Sequence, residues 1–159
     1  MATARSLLFL VFQIVVTTLY AVAMIATAWL PRVARYRIAA QWCQVNVLGA
    51  RAICGIDWQV RGLENIPADA GAHPHIVMAK HSSTWETLAL NQYFPPLAFV
   101  AKKELFKHRV VAWILNSLGA FPVDRGNGDA DAMATAREVL DRGDVLLIFP
   151  EGTRIRPGG

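Results

Sequence analysis

The 159-residue chain is expected to fold as an α/β domain with a largely parallel central sheet and flanking helices, preceded by an N-terminal membrane-associated helical pair. Three observations predict this. Leu7 to Leu30 is a run of 24 residues without a charge. Beyond Gly55, short apolar runs alternate with helix-length segments, the pattern of a layered α/β domain. The composition is 54% hydrophobic and only 18% charged, more apolar than an ordinary soluble domain. The expected division is 1–54 for the anchoring helices and 55–159 for the α/β domain.

The first element is the uncharged run. About 20 apolar residues cross a bilayer core as a helix, and this run reaches ~36 Å at ~1.5 Å per residue. Thirteen of its residues are Leu, Ile, Val or Phe, which outweigh Gln13 and the threonines. Trp29 stands near the end, where an interfacial ring belongs. A signal peptide fits less well, because the apolar run of 24 residues is long for one. A soluble core helix would be unusually apolar all round. One arginine, Arg5, precedes the segment, whereas Arg32, Arg35 and Arg37 follow it. On the positive-inside rule the remainder of the chain then faces the cytoplasm.

Pro31 suits the first turn of a second helix over 32–54. Arg37, Gln41, Gln44 and Arg51 fall on one stripe, as in an amphipathic helix lying in a membrane interface. Arg35 and Asn46 do not fit that stripe, and packing on the soluble domain is the alternative. The net charge of +4 lies wholly before residue 51, since twelve basic and twelve acidic residues follow. That placement suits anionic lipid head groups, not a nucleic-acid-binding domain. Cys43 and Cys54 have no zinc-type spacing and are expected to be buried thiols.

In the second part, Ile56–Arg61 alternates as a short strand. His75–Ala79 reads as a buried strand, Thr84–Tyr93 as a helix stopped by Pro95-Pro96, and Leu97–Ala101 as a strand. Val110–Leu118 reads as a helix ending at Gly119, and Phe121–Asp124 as a brief strand. Asp129 caps a helix with Met133, Ala136 and Leu140 on its inner face, closed by Gly143. Asp144–Phe149 is a strongly apolar strand. His81, Lys102, Arg125 and Glu151 each lie just past a predicted strand. In open α/β sheets, sites form outside the carboxyl ends of the strands.

Two motifs bear on chemistry. In His81-Ser82-Ser83-Thr84-Trp85-Glu86, a carboxylate five residues after a histidine can turn back and hold the imidazole Nδ1–H. That leaves the other nitrogen free to take a proton. A surface ion pair accounts for the same spacing. In Phe149-Pro150-Glu151-Gly152-Thr153-Arg154, an apolar strand runs into a turn that projects Glu151 and Arg154. An ordinary turn with solvated charges does likewise. No G-x-S-x-G elbow supports a serine hydrolase at Ser82 or Ser83. No H-E-x-x-H supports a metal site at His73, His75 or His81, so none is expected. His108 reads as a surface residue.

Together and in this order, these motifs resemble the 1-acyl-sn-glycerol-3-phosphate acyltransferase family of phospholipid synthesis. Ala101-Lys102-Lys103-Glu104-Leu105 and Gly119-Ala120-Phe121-Pro122-Val123-Asp124-Arg125 match its intervening block. The resemblance covers about residue 56 to Arg154. It implies a membrane-bound enzyme that moves an acyl group from acyl-CoA or acyl carrier protein to the free hydroxyl of lysophosphatidic acid, with no cofactor. It further implies that His81 is the general base and Glu86 its orienting group. Lys102 and Arg125 would hold the acceptor phosphate, Glu151 and Gly152 would contribute to the acceptor site, and Arg154 would add a phosphate contact. Read from the residues alone, Lys102 and Arg125 are equally solvated surface charges.

The sequence departs from the family in having Glu86 where aspartate is commoner and Pro122 where an apolar residue is usual. Family members continue beyond the position of Gly159, so the domain is expected to be incomplete at its C-terminus. Two alternatives stand beside the main expectation. One is acylation of another lysolipid, such as a lyso-ornithine lipid. The other is a non-catalytic, membrane-tethered lipid-binding protein.

Overall fold

A computed structural model of the chain describes residues 2–69, 72–94, 96–117, 119–123 and 129–154. The chain divides into two compact units, Met1–Ile66 and Pro67–Gly159.

The first unit is a helical hairpin. Helix α1 spans Ala2–Ala26, and helix α2 spans Arg32–Gly49 and continues into a wider, π-type turn at Ala50–Cys54. The first helix stops four residues before the end of the apolar run. There the Thr27 hydroxyl donates to the Ala23 carbonyl at 2.6 Å, and Pro31 supplies no amide for continuation. Trp29, in the connecting turn, is 81% exposed. The two helices are antiparallel, as three pairs of contacts establish. The Trp42 indole N–H donates to the Thr17 hydroxyl at 3.2 Å, Phe12 lies over Gly49, and the Cys54 thiol lies 3.9 Å from the Arg5 carbonyl. A Cβ on Gly49 would overlap the Phe12 ring, so a side chain here would require that ring to shift.

On α2, Tyr36, Ala39, Cys43 and Val47 are buried, while Arg37, Gln41, Gln44 and Arg51 are exposed as their periodicity predicts. Asn46 turns inward because its Nδ2 donates to the Trp42 carbonyl at 2.8 Å. Cys43 is buried as expected, but Cys54 is only partly covered at the hairpin's open end. The outer surface of α1 is apolar and bare, with Leu7, Val11, Ile14, Leu19 and Val22 each more than half exposed. Ile56–Arg61 is not a strand. It runs as irregular chain with Ile56 and Val60 exposed, because no neighbouring strand supplies a ladder for its alternation.

The second unit is built on a four-stranded parallel sheet. Its strands are β1 (Ile76–Met78), β2 (Leu97–Lys102), β3 (Ala120–Val123) and β4 (Val145–Ile148), in the order β1-β4-β2-β3. Helices α3 (Trp85–Ala89), α4 (Arg109–Ser117) and α5 (Asp129–Asp141) connect them. The predicted parallel arrangement holds for every pairing. β4 is central, and Val145, Leu146 and Leu147 are fully buried, each contributing ~1.5–3 kcal/mol by the usual scale for burying such side chains.

Strand alternation sorts the core into two layers. Ala98, Leu146 and Ile148 face α5 through Ala136 and Val139. Leu97, Val145 and Leu147 face the other way, where Val77, Ala79, Leu90, Phe94 and Phe149 pack. Three expectations need correction. β1 is an edge strand, not a buried one, and its Met78 is 71% exposed. Thr84–Tyr93 is α-helical only over Trp85–Ala89 and then tightens into a 3-10 turn at Leu90–Gln92. Met133 is exposed, and Val139 takes the inward position one turn after Ala136.

Candidate active site

Because all four strands run the same way, their carboxyl ends share one edge of the sheet. His81 follows β1, Glu151 follows β4, Lys102 ends β2 and Arg125 follows β3. Arg125 lies outside the described residues. Lys102 is exposed at the end of its strand, in register with Val123.

His81 and Glu86 are in contact. The His81 Nδ1 lies 3.1 Å from Glu86 Oε1, and both side chains are largely covered, at 16% and 17% exposure. The same Oε1 accepts the backbone N–H groups of Ser82 and Ser83, the latter at 2.6 Å. Glu86 Oε2 accepts the Ser83 hydroxyl at 2.6 Å, and Ser83 Oγ in turn accepts the N–H of Trp85 at 3.0 Å. This is the turn that starts α3. A glutamate in its first turn reaches back over the loop and gathers amides that would otherwise lack partners. The extra methylene relative to aspartate is taken up in that reach.

Burial pushes the Glu86 carboxyl upward. The Ser83 hydroxyl and the Ser83, Glu86 and Ser82 amides outweigh it, and the group is held well below its ordinary 4.5, at about 2. Glu86 is therefore a fixed anion at neutral pH. A carboxylate on Nδ1 fixes the tautomer with the proton on that nitrogen and leaves Nε2 as an acceptor.

The other face of this corner comes from β4. The Phe149 ring stacks on the His81 imidazole, with centroids 4.1 Å apart and planes at 26°. Alternation explains the meeting. Val77 and Ala79 of the β1 segment, and Val145, Leu147 and Phe149 of the β4 segment, all face the α3 layer, and two residues beyond Ala79 is His81. Beside them is an open hollow of about 400 Å³ lined by Met78, Ala79, Lys80, Pro150 and Glu151. One carboxylate oxygen of Glu151, Oε2, is buried without a hydrogen-bond partner among the described residues. Gly152 adopts φ +63° in the turn, and among the described residues nothing lies within 4 Å of where a Cβ would be. Its N–H closes the turn on the Phe149 carbonyl at 3.0 Å. Arg154 is exposed.

The fold thus brings the first and last motifs together: His81 with Glu86, and the Phe149–Gly152 turn beside them. Lys80 was not singled out from the sequence, and Ser83 and Phe149 were named there only within their motifs, without the contacts they make at this corner. Ser83 was readable as a capping residue three positions before a glutamate. Phe149 was readable from the two-residue period, given the pairing of β1 with β4. Among the described residues, no group of three or more His, Cys, Asp or Glu side chains is placed to hold a metal ion.

The acyltransferase family model matches residues 57–159. The chain belongs to the acyltransferase family. Within it, the similarity is to 1-acyl-sn-glycerol-3-phosphate acyltransferases: the Pseudomonas aeruginosa protein of that name is 41% identical over 133 residues, 81% of this chain and 50% of the relative. The Bacillus subtilis protein of the same name is 35% identical over 98 residues, 60% of this chain and 48% of the relative. The crystal structure of the 1-acyl-sn-glycerophosphate (LPA) acyltransferase PlsC from Thermotoga maritima superposes with a TM-score of 0.73 at 27% identity. That match covers 98% of this chain and 64% of the neighbour. The chain spans about half the length of these two curated relatives.

Proposed function

We propose that this chain acts in the acylation of 1-acyl-glycerol-3-phosphate, with acyl-CoA or acyl carrier protein as donor and phosphatidic acid as product. The observation that carries the reading is the His81–Glu86 contact at the carboxyl edge of the parallel sheet, with the Glu151 turn beside it. In this mechanism Glu86 holds the Nδ1–H, and Nε2 takes the proton of the acceptor hydroxyl. The hydroxyl oxygen attacks the thioester carbonyl, the C–S bond breaks, and the imidazolium returns its proton to the departing sulfur. The forming ester replaces the thioester without a covalent enzyme intermediate. Lys102, Arg125 and Arg154 are the cations proposed for the acceptor phosphate, Lys as a point charge and Arg as a fork. Glu151 and Gly152 are proposed to shape the acceptor site, and the open space beside Gly152 leaves room for a ligand there.

We further propose that the hairpin seats the protein in one leaflet of the cytoplasmic membrane, with the domain on the cytoplasmic side. Helix α1 is apolar and long enough to cross a bilayer. Its partner α2 exposes Arg37, Gln41 and Gln44 along its length. A spanning α2 would carry the polar stripe of Arg37, Gln41 and Gln44 into the bilayer, where polar and charged side chains are costly. A pair lying in the interface avoids this, with α1 in the acyl region and the α2 stripe among head groups. Arg32, Arg35 and Arg37 then serve as contacts to anionic lipid.

The test is release of free thiol from acyl-CoA by the detergent-solubilised chain, with the lipid product identified. Release that depends on 1-acyl-glycerol-3-phosphate and yields phosphatidic acid is expected. Release with another lysolipid only would reassign the acceptor. No release from a folded, vesicle-bound chain would replace the enzyme reading with a lipid-binding one.

A further inference from the structure

We infer that Phe149 is a positioning residue for His81, a plate that fixes the plane of the imidazole. The inference rests on the proposed role of His81 as the base. The carboxylate of Glu86 restrains the ring at one atom, Nδ1, and a single hydrogen bond leaves the ring free to rock about it. Phe149 supplies the second restraint, a face contact at 4.1 Å between centroids with planes at 26°. With one edge tied and one face covered, the direction of Nε2 is defined.

Phe149 is suited to this by its own support. Its ring packs against the buried layer of Leu97, Val145 and Leu147, so it is backed by the rigid centre of the sheet. The support comes from β4, whereas His81 hangs from the edge strand β1, the more weakly held of the two. The backbone N–H of Ala79 donates to the Ile148 carbonyl at 3.1 Å, which sets the two segments level as they leave the sheet. Position 149 therefore ties a ring carried past the edge strand to the buried core of the central strand. The stack also covers one face of the ring from water.

The experiment compares Phe149→Leu, Phe149→Tyr and His81→Ala in the full chain. Turnover is followed by thiol release, and the histidine ring C–H resonances by NMR. In the wild-type chain, His81 ring protons are expected upfield of those of exposed His73 and His108, through the ring current of Phe149. Phe149→Leu is expected to move them downfield and to lower kcat by ~10- to 100-fold, the scale of small misplacements of a reacting group. KM for both substrates should stay within about twofold. Phe149→Tyr, which keeps the ring, should restore both the shift and most of the turnover. Unshifted wild-type His81 resonances would overturn the inference, and need no variant to fold. So would a Phe149→Leu chain with wild-type kcat, or one that loses turnover while the His81 resonances stay in place. In each of those cases an inactive His81→Ala leaves the base assignment standing. An active His81→Ala chain would instead remove the reading on which the inference depends.

Discussion

Replacing Ser83 by alanine isolates one of the forces that hold Glu86 ionised. The Ser83 hydroxyl donates to Glu86 Oε2 at 2.6 Å, while Ser82 and Ser83 amides and His81 serve Oε1. Of the bonds to Glu86 the variant removes only the first, together with the contact of the Trp85 N–H to the same hydroxyl oxygen. A hydrogen bond to a charged group is worth ~1.5–3 kcal/mol, and the 17% exposure of Glu86 lets water replace part of it, so the lower end applies. That corresponds to about one pH unit, since each unit is ~1.4 kcal/mol. The carboxyl, held at about 2 in the native chain, is expected to titrate roughly one unit higher in the variant.

The sign follows from linkage. A carboxyl that ionises at lower pH when folded contributes its stabilisation fully above its ordinary 4.5 and loses it as pH falls toward about 2. In Ser83→Ala the contribution is smaller and is fully lost at a higher pH. The assay is a carbon-13 titration of glutamate side chains in detergent, with Glu86 assigned by its loss in Glu86→Gln. A wild-type midpoint at or above 4.5, or no upward movement in Ser83→Ala, would refute the hydrogen-bond account of this carboxylate.

Two further outcomes are expected. Arg125→Ala should raise the KM for the phosphorylated acceptor and leave that for acyl-CoA nearly unchanged; an equal rise in both, measured by initial rates, would argue against phosphate recognition. Gly49→Ala should lower the melting temperature of the hairpin unit by circular dichroism, because the new Cβ meets the Phe12 ring and overpacking costs ~1–3 kcal/mol, more than the gain in helix propensity. In a Phe12→Ala background the same change should be neutral or stabilising.

Much of the architecture was legible because the physical signals were local. The alternation of short apolar runs with helical segments led to a parallel sheet, and the strand ends led to His81, Lys102 and Glu151 on one edge. The five-residue spacing of His81 and Glu86 was enough to suggest their contact. What failed depended on partners distant in sequence. Ile56–Arg61 has the alternation of a strand but no neighbour to pair with. His75–Ala79 looked buried because its residues are apolar, yet exposure is decided by its place at the edge of the order β1-β4-β2-β3. Asn46 broke the polar stripe of α2 because its Nδ2 bonds the Trp42 carbonyl of its own helix and the side chain turns toward the buried side. The meeting of His81 and Phe149, 68 positions apart, required the register of β1 on β4.

The central claim is that the imidazole of His81 removes the acceptor proton, and turnover of His81→Ala tests it most directly. Thiol release in that variant should fall by at least ~10², the low end of what a placed general base supplies, with vesicle binding unchanged. Near-normal release from His81→Ala would contradict the account.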